Sequence, residues 1–141
     1  MSSPANSYHT AMRILLVDDN PLFCYATAID LERAGHSVLV ARDGAGAFDQ
    51  FVERMPDALI TDIEMRVTDG AQLIRRVLAI APDLPVVIVT AASARAHDIL
   101  SEHPNAALAH VAKPLLGRPL LQALEHAVSR AQTRRRADPV G

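Results

Sequence analysis

The sequence predicts an α/β fold in which a doubly wound parallel sheet lies between two layers of helices, giving three layers, α/β/α. Five short apolar runs, rich in β-branched residues, alternate with longer stretches of helical period. The runs are apolar throughout, which is typical of strands buried on both faces. A length of 141 residues with 50% hydrophobic content suits one compact domain.

The strands and helices can be placed in order along the chain. The predicted strands are Arg13–Val17, Ser37–Ala41, Ala58–Thr61, Val86–Thr90 and Leu108–Ala112. Residues with capping side chains open the first four helices, and these are Asn20, Asp43, Asp69 and Ser93. We expect Pro104 to end the fourth helix and Pro119 to lie in the first turn of the fifth.

The domain predicted from these elements covers residues 12–131, with a disordered amino-terminal segment over 1–11 and a flexible tail over 132–141. The longest apolar run, near Leu84 to Ala92, is too short to span a bilayer. We therefore expect a cytoplasmic protein without a membrane partner. A net charge of -2 and the absence of Trp argue against a nucleic-acid binder. Cys24 is the only cysteine and is predicted to be a core residue.

Polar side chains follow four of the predicted strands, at the point where each strand ends. They are Asp18, Asp19, Asp62, Thr90 and Lys113. Because the carboxyl ends of parallel strands line one edge of the sheet, we expect these groups to meet there. Each of them alone has an ordinary explanation as a helix cap, a strand former or a solvated lysine. Their coincidence at one edge favours a site.

The chemistry of this set is restrictive. Clustered carboxylates repel one another unless a cation lies among them, and all-oxygen ligands favour Mg²⁺, Mn²⁺ or Ca²⁺ over zinc. Lys113 supplies a positive charge and Thr90 a hydroxyl group for an incoming anion. An ionised carboxylate beside a metal ion is also a competent nucleophile toward phosphorus.

The chain resembles the receiver domain of bacterial two-component response regulators over residues 12–130. The matching segments are Ile14–Asp19, Leu59–Met65 with Asp69-Gly70, Val87–Ala91 and Lys113-Pro114. This resemblance implies a flavodoxin-like (βα)5 fold with strand order 2-1-3-4-5. It also implies a phosphorelay signalling protein, which is not an enzyme beyond assisting its own phosphorylation and dephosphorylation.

The resemblance also implies a role for each residue of the site. Asp62 is the expected phosphoacceptor, with a sensor histidine kinase or a histidine phosphotransfer protein as the donor. The expected Mg²⁺ ligands are Asp18, Asp19, Asp62 and the backbone carbonyl of Glu64. Thr90 and Lys113 are expected to hold the phosphoryl oxygens. The Lys113–Pro114 bond is expected to be cis.

The output is expected through a protein-binding surface made by helix 4, strand 5 and helix 5, with Thr90 and His110 as the switch residues. His110 replaces the usual switch aromatic, which predicts pH-sensitive output near the imidazole pKa of about 6.5. The alternative is an ordinary half-buried ring. Arg66 stands where a proline is usual, and Glu64 holds a position that tunes phosphoryl lifetime.

Other functions fit less well. An aspartyl-phosphate hydrolase would need a second Asp two residues after its nucleophile, but Asn20 follows Asp18-Asp19. Flavin and dinucleotide sites would need phosphate loops that are missing here. A binding module that is never phosphorylated stays open, as does a fragment of a longer regulator with a DNA-binding effector domain. We expect no DNA binding by this chain itself, an unidentified downstream protein partner, and a monomer or a weak phosphorylation-dependent dimer.

Overall fold

The structure, a computed structural model, describes residues 10–113 and 117–137. The strands are β1 (Arg13–Val17), β2 (Ser37–Ala41), β3 (Ala58–Thr61), β4 (Val86–Thr90) and β5 (Leu108–Ala112). The helices are α1 (Pro21–Arg33), α2 (Gly44–Arg54), α3 (Gly70–Ile80), α4 (Ser93–Glu102) and α5 (Arg118–Ala137). All paired strands are parallel, in the order β2-β1-β3-β4-β5. The predicted strands and flavodoxin-like order are confirmed.

Two hydrophobic clusters cover the two faces of the sheet. Alternate residues of one strand point to opposite faces, so Leu15 of β1 joins one cluster and Leu16 the other. The first cluster includes Phe51 of α2 and Ile74 of α3. The second includes residues of α1 and α5, among them Cys24, which is buried as predicted. No helix in the described part of the chain combines the length and apolar composition needed to cross a lipid bilayer.

Three of the four predicted helix caps are present. Asn20, Asp43 and Asp69 each accept a hydrogen bond from a backbone N–H in the first turn of their helix. The prediction for Ser93 was wrong, because α4 begins at Ser93 and its cap position is Ala92. The Thr90 hydroxyl accepts a hydrogen bond from the Ala92 N–H, so the turn that leads into α4 lies before Ser93.

The two proline predictions are confirmed. Helix α4 ends at Glu102, with His103 as its carboxyl cap directly before Pro104. Pro119 is the second residue of α5 and lies in its first turn, where its missing N–H costs no hydrogen bond.

Helix α5 is longer than the sequence predicted. It continues through Ala137, so residues 132–137, assigned above to a flexible tail, are helical. Arg134 accounts for the extension, because its guanidinium binds the carboxylate of Asp83 and the backbone carbonyl of Asn105. The rest of the predicted tail, the segment 1–9 and the Lys113–Pro114 bond lie outside the described residues.

The start of α3 approaches the end of β3 very closely. The N–H of Gly70 donates to the backbone carbonyl of Ile63. A Cβ atom at Gly70 would lie 2.1 Å from the backbone oxygen of Asp62 and 2.6 Å from Cα of Ile63. Both neighbours are backbone atoms, which cannot rotate away, so only glycine fits at this point.

Replacing Gly70 with alanine is expected to push the loop after β3 away from α3. The free energy of unfolding, measured by urea denaturation, should fall by about 3 kcal/mol because the clash is with backbone. Gln72→Ala, on an exposed position of the same helix, is the matched control and should change stability little. Equal stability of the two variants would contradict the close approach.

Candidate functional site

The carboxyl ends of four strands bring the predicted polar residues to one edge of the sheet. Asp18 and Asp19 follow β1, Asp62 follows β3, and Lys113 follows β5. Backbone hydrogen bonds hold these strand ends in place, since the Asp62 N–H donates to the Val17 carbonyl at 3.0 Å. The site is therefore positioned by the sheet itself.

Asp62 is buried, and both of its carboxylate oxygens are hydrogen bonded. Oδ1 accepts from the backbone N–H groups of Ile63 at 2.7 Å and Glu64 at 3.1 Å. Oδ2 accepts from Nζ of Lys113 at 2.9 Å. These donors hold the carboxylate in one orientation.

Asp18 is fully buried and only partly satisfied. Its Oδ1 accepts from the Asn20 N–H at 2.9 Å. Its Oδ2 lies 2.7 Å from Nζ of Lys113, but off the hydrogen-bonding direction, and has no hydrogen-bond partner among the described residues. Burial raises the pKa of Asp18 above its ordinary value, although the contacts with Lys113 and Asn20 act in the opposite direction.

Lys113 supplies the positive charge between these two acids. Burial alone would lower the pKa of Lys113, but its contacts with Asp18 and Asp62 outweigh burial and raise that pKa. Its ammonium group also lies 4.5 Å from the ring centroid of Phe23, within cation–π distance. Lys113 is therefore charged at neutral pH.

Asp19 binds Arg66, in the loop after β3, rather than Lys113. Its Oδ2 accepts from the backbone N–H of Arg66 at 2.9 Å and lies 3.6 Å from the Arg66 guanidinium. Within residues 10–113 and 117–137, no three His, Cys, Asp or Glu side chains are grouped as a metal site would need. The sequence did not anticipate this contact, which depends on the backbone N–H of residue 66.

The donor chemistry still suits a hard divalent cation. Asp18 Oδ2 is a buried oxygen that lies 2.7 Å from the Lys113 ammonium group but has no hydrogen-bond partner in the described part of the chain, so it stays available as a ligand for a cation. Three carboxylates and one ammonium group leave an excess of negative charge. Oxygen ligands of this kind suit Mg²⁺ better than zinc. A bound cation would compete with Arg66 and Lys113 for these oxygens.

Thr90 and His110 lie on the β4 and β5 side of the site. The Thr90 hydroxyl is engaged by the Ala92 N–H at 3.1 Å, and the Thr90 carbonyl accepts from the Lys113 N–H at 3.0 Å. The His110 ring meets the His97 ring of α4 edge-on at 6.0 Å between centroids. Burial, and then the neighbouring His97, lower the pKa of His110 below 6.5.

Two residues near the site escaped the sequence analysis. Phe23 lies under the Lys113 ammonium group, and Arg95 binds the loop between β3 and α3. Arg95 carried a detectable signal, because a cation in the first turn of a helix opposes the helix dipole and needs a nearby acid. No comparable signal marks Phe23 in the sequence.

Neutralising the buried acid of Asp18 is expected to stabilise the protein when no metal is bound. A raised pKa means that the folded state binds more protons than the unfolded state, so this group lowers stability as the pH rises above about 4. Asp18→Asn should raise the urea midpoint at neutral pH and flatten this dependence. Asp49→Asn, on the exposed side of α2, is the control. A lower urea midpoint in Asp18→Asn would contradict the cost assigned to burying the Asp18 carboxylate.

Known proteins are similar to this chain in sequence. The curated relatives include the response regulator MprA of Mycobacterium avium, 38% identical over 80 residues, covering 57% of this chain and 35% of that protein. A protein-glutamate methylesterase/protein-glutamine glutaminase of Pseudomonas putida is 34% identical over 108 residues, covering 75% of this chain and 32% of that protein. The chain thus spans about a third of the length of these relatives.

Solved structures agree with the fold. The response regulator receiver domain protein of Clostridium thermocellum superimposes with a TM-score of 0.76 at 27% identity, covering 88% of this chain and 98% of that one. The sequence also matches the family described as the response regulator receiver domain over residues 14–125. The chain therefore belongs to the response regulator receiver domain family.

Proposed function

We propose that the chain accepts a phosphoryl group on Asp62 from a sensor histidine kinase or a histidine phosphotransfer protein. The observation that carries this proposal is the setting of the Asp62 carboxylate. Two backbone N–H groups fix one oxygen and the Lys113 ammonium group binds the other. A buried carboxylate held in this way is oriented for attack on an electrophile that arrives from outside the sheet edge.

The transfer needs no oxidant and no external base. A carboxylate oxygen of Asp62 forms a bond to phosphorus as the bond between phosphorus and the leaving group breaks. With acetyl phosphate, acetate leaves with the electron pair. With a phosphohistidine, the imidazole nitrogen keeps the electron pair. Lys113 would then hold a phosphoryl oxygen, since its ammonium group already lies at the carboxylate that receives the group.

The cation expected for this transfer is Mg²⁺. Asp18, Asp19, Asp62 and the backbone carbonyl of Glu64 would hold it. When bound, it would neutralise charge on the phosphoryl oxygens. The protein's own contribution is to position the carboxylate and to keep Lys113 charged, as the contacts around both groups indicate.

The phosphoryl group would switch a surface formed by α4, β5 and α5. Thr90 would turn its hydroxyl group from the Ala92 N–H toward a phosphoryl oxygen, and α4 begins within three residues of Thr90. His110 would respond because its ring packs against α4 through His97.

We propose a cytoplasmic protein that acts through protein contacts, as a monomer or a weak phosphorylation-dependent dimer, without binding DNA itself. The matched segments cover only about a third of each of these curated relatives, so a DNA-binding effector domain in a longer protein stays an alternative.

Phosphorylation is tested by incubating the protein with Mg²⁺ and acetyl phosphate and measuring its intact mass. The wild type should gain the mass of one phosphoryl group, because the Asp62 carboxylate is oriented and Lys113 is charged. Asp62→Asn should gain nothing, and Asp49→Asn should behave as the wild type. Omitting Mg²⁺ should abolish the gain. An unchanged wild-type mass with several donors would instead favour a binding module that is not regulated by phosphorylation.

The lowered pKa of His110 predicts an acid-sensitive surface. As the pH falls below about 6.5, the His110 ring is protonated in the unfolded state before it is protonated in the folded state, so the free energy of unfolding decreases. This loss takes place between pH 6.5 and the lower pKa of the folded state, which places the pH-sensitive range below the value predicted from the sequence. The loss in urea midpoint between pH 7.5 and 5.5, both about one unit from that value, should be smaller in His110→Phe than in the wild type. His126→Gln, at an exposed position of α5, should retain the wild-type loss. Identical pH dependence in His110→Phe would refute a role for this ring.

A further inference from the structure

Arg95, in the first turn of α4, joins two acids of the loop between β3 and α3. Its Nη2 donates to both carboxylate oxygens of Asp69 at 2.9 Å each. Its Nη1 lies 3.7 Å from a carboxylate oxygen of Glu64. A guanidinium group that donates two hydrogen bonds to one carboxylate is held in one orientation, whereas the ammonium group of a lysine at the same position would not be.

The two acids that Arg95 contacts stand at the two ends of the loop that carries Asp62. Glu64 follows Asp62 by two residues, and its backbone N–H donates to Asp62 Oδ1. Asp69 caps α3 by accepting from the Ala71 N–H. Glu64 and Asp69 also form an isolated antiparallel bridge. Arg95 therefore contacts both residues of this bridge from the side of α4.

The charge of the side chains beside the loop after β3 affects how easily a phosphodonor can approach Asp62. A shallow groove between the start of α1 and this loop is bordered by Asp19, Glu64 and Arg66. The Arg66 guanidinium lies against Asp19, so the charge of Glu64 is the one that Arg95 offsets. A phosphodonor is an anion, so a mobile carboxylate beside Asp62 would repel it. Arg95 offsets the charge of Glu64 and limits where its side chain can move. The unfavourable position of this cation at a helix amino terminus is consistent with a role outside α4 itself.

We propose that Arg95 is a positioning residue for phosphoryl transfer, which holds Glu64 at the outer side of the loop so that an anionic phosphodonor can reach Asp62. This role rests on the proposed function. Arg95 acts through Glu64 and through the shape of the loop, and it contacts neither Asp62 nor Lys113 in the hydrogen bonds and ion pairs of the described residues.

The test compares Arg95→Ala and Arg95→Lys with Arg75→Ala. Arg75 is a matched control, because it also links α3 to α4, through Glu102 at 3.9 Å, but at the far end of α4. Phosphorylation by acetyl phosphate with Mg²⁺ is followed over a range of donor concentrations. Arg95→Ala should lower the second-order rate constant by about fivefold at low ionic strength, the size expected for one unit charge near the path. The maximal rate at saturating donor should change much less.

Three further results are expected. The deficit should shrink at high salt, because screening weakens the repulsion. Arg95→Lys should restore part of the rate, because it returns the charge without the two directed hydrogen bonds, and Arg75→Ala should match the wild type. In a Glu64→Gln background, Arg95→Ala should have little effect, since the carboxylate that it restrains is gone. Hydrogen exchange without metal should show faster exchange of the amides in residues 62–70 in Arg95→Ala than in Arg75→Ala.

The outcomes separate this role from the proposed function. A wild type that is phosphorylated while Arg95→Ala reacts at the same rate overturns the role of Arg95 alone. A deficit that persists unchanged with Glu64→Gln also overturns it, because Arg95 would then act by another route. A wild type that takes no phosphoryl group from any donor overturns the proposed function and this role together.

Discussion

Lys113 places its ammonium group 2.7 Å from one carboxylate oxygen of Asp18 and 2.9 Å from one of Asp62, where water cannot fully solvate either acid. Burying two carboxylates so close together is costly without a counter-charge. The parallel sheet forces this proximity, because β1 and β3 are neighbours and end at the same edge. The rest of the site follows from this constraint. The loop amides bind Asp62, and Phe23 lies beside the ammonium group.

The loop after Asp62 is held from two sides by elements distant in the sequence. Arg66 ties it to Asp19 after β1, and Arg95 ties it to α4. Gly70 brings α3 against the backbone of the same loop. Asp62, the proposed phosphoacceptor, therefore lies in a loop that is also tied to α4, the helix that begins the proposed switching surface. Thr90 binds the N–H of Ala92, the cap of α4, and Arg95 lies in the first turn of that helix, so both contacts meet at the start of α4.

Local signals in the sequence were sufficient for most of the fold. Continuous apolar runs placed all five strands, and the caps Asn20, Asp43 and Asp69 depend only on residues two or three positions away. The edge at which Asp18, Asp62 and Lys113 meet followed from strand topology. Features that depend on contacts between distant elements were not predictable in this way. The turn of Asp19 toward Arg66, the Arg95 contacts and the length of α5 each depend on a side chain from another part of the chain.

The anchoring of α5 by Arg134 has a mechanical consequence. Arg134 and Arg130 together join the carboxyl half of α5 to Asp83 before β4 and to the backbone at Asn105 and Ala106 before β5. These contacts lie at the amino edge of the sheet, opposite the acids. The amino edge of the sheet is thus held by side-chain contacts, while the opposite, charged edge carries the groups that would rearrange. A displacement of α4 or α5 that leaves these contacts intact would pivot about the amino edge and would be largest at the charged edge.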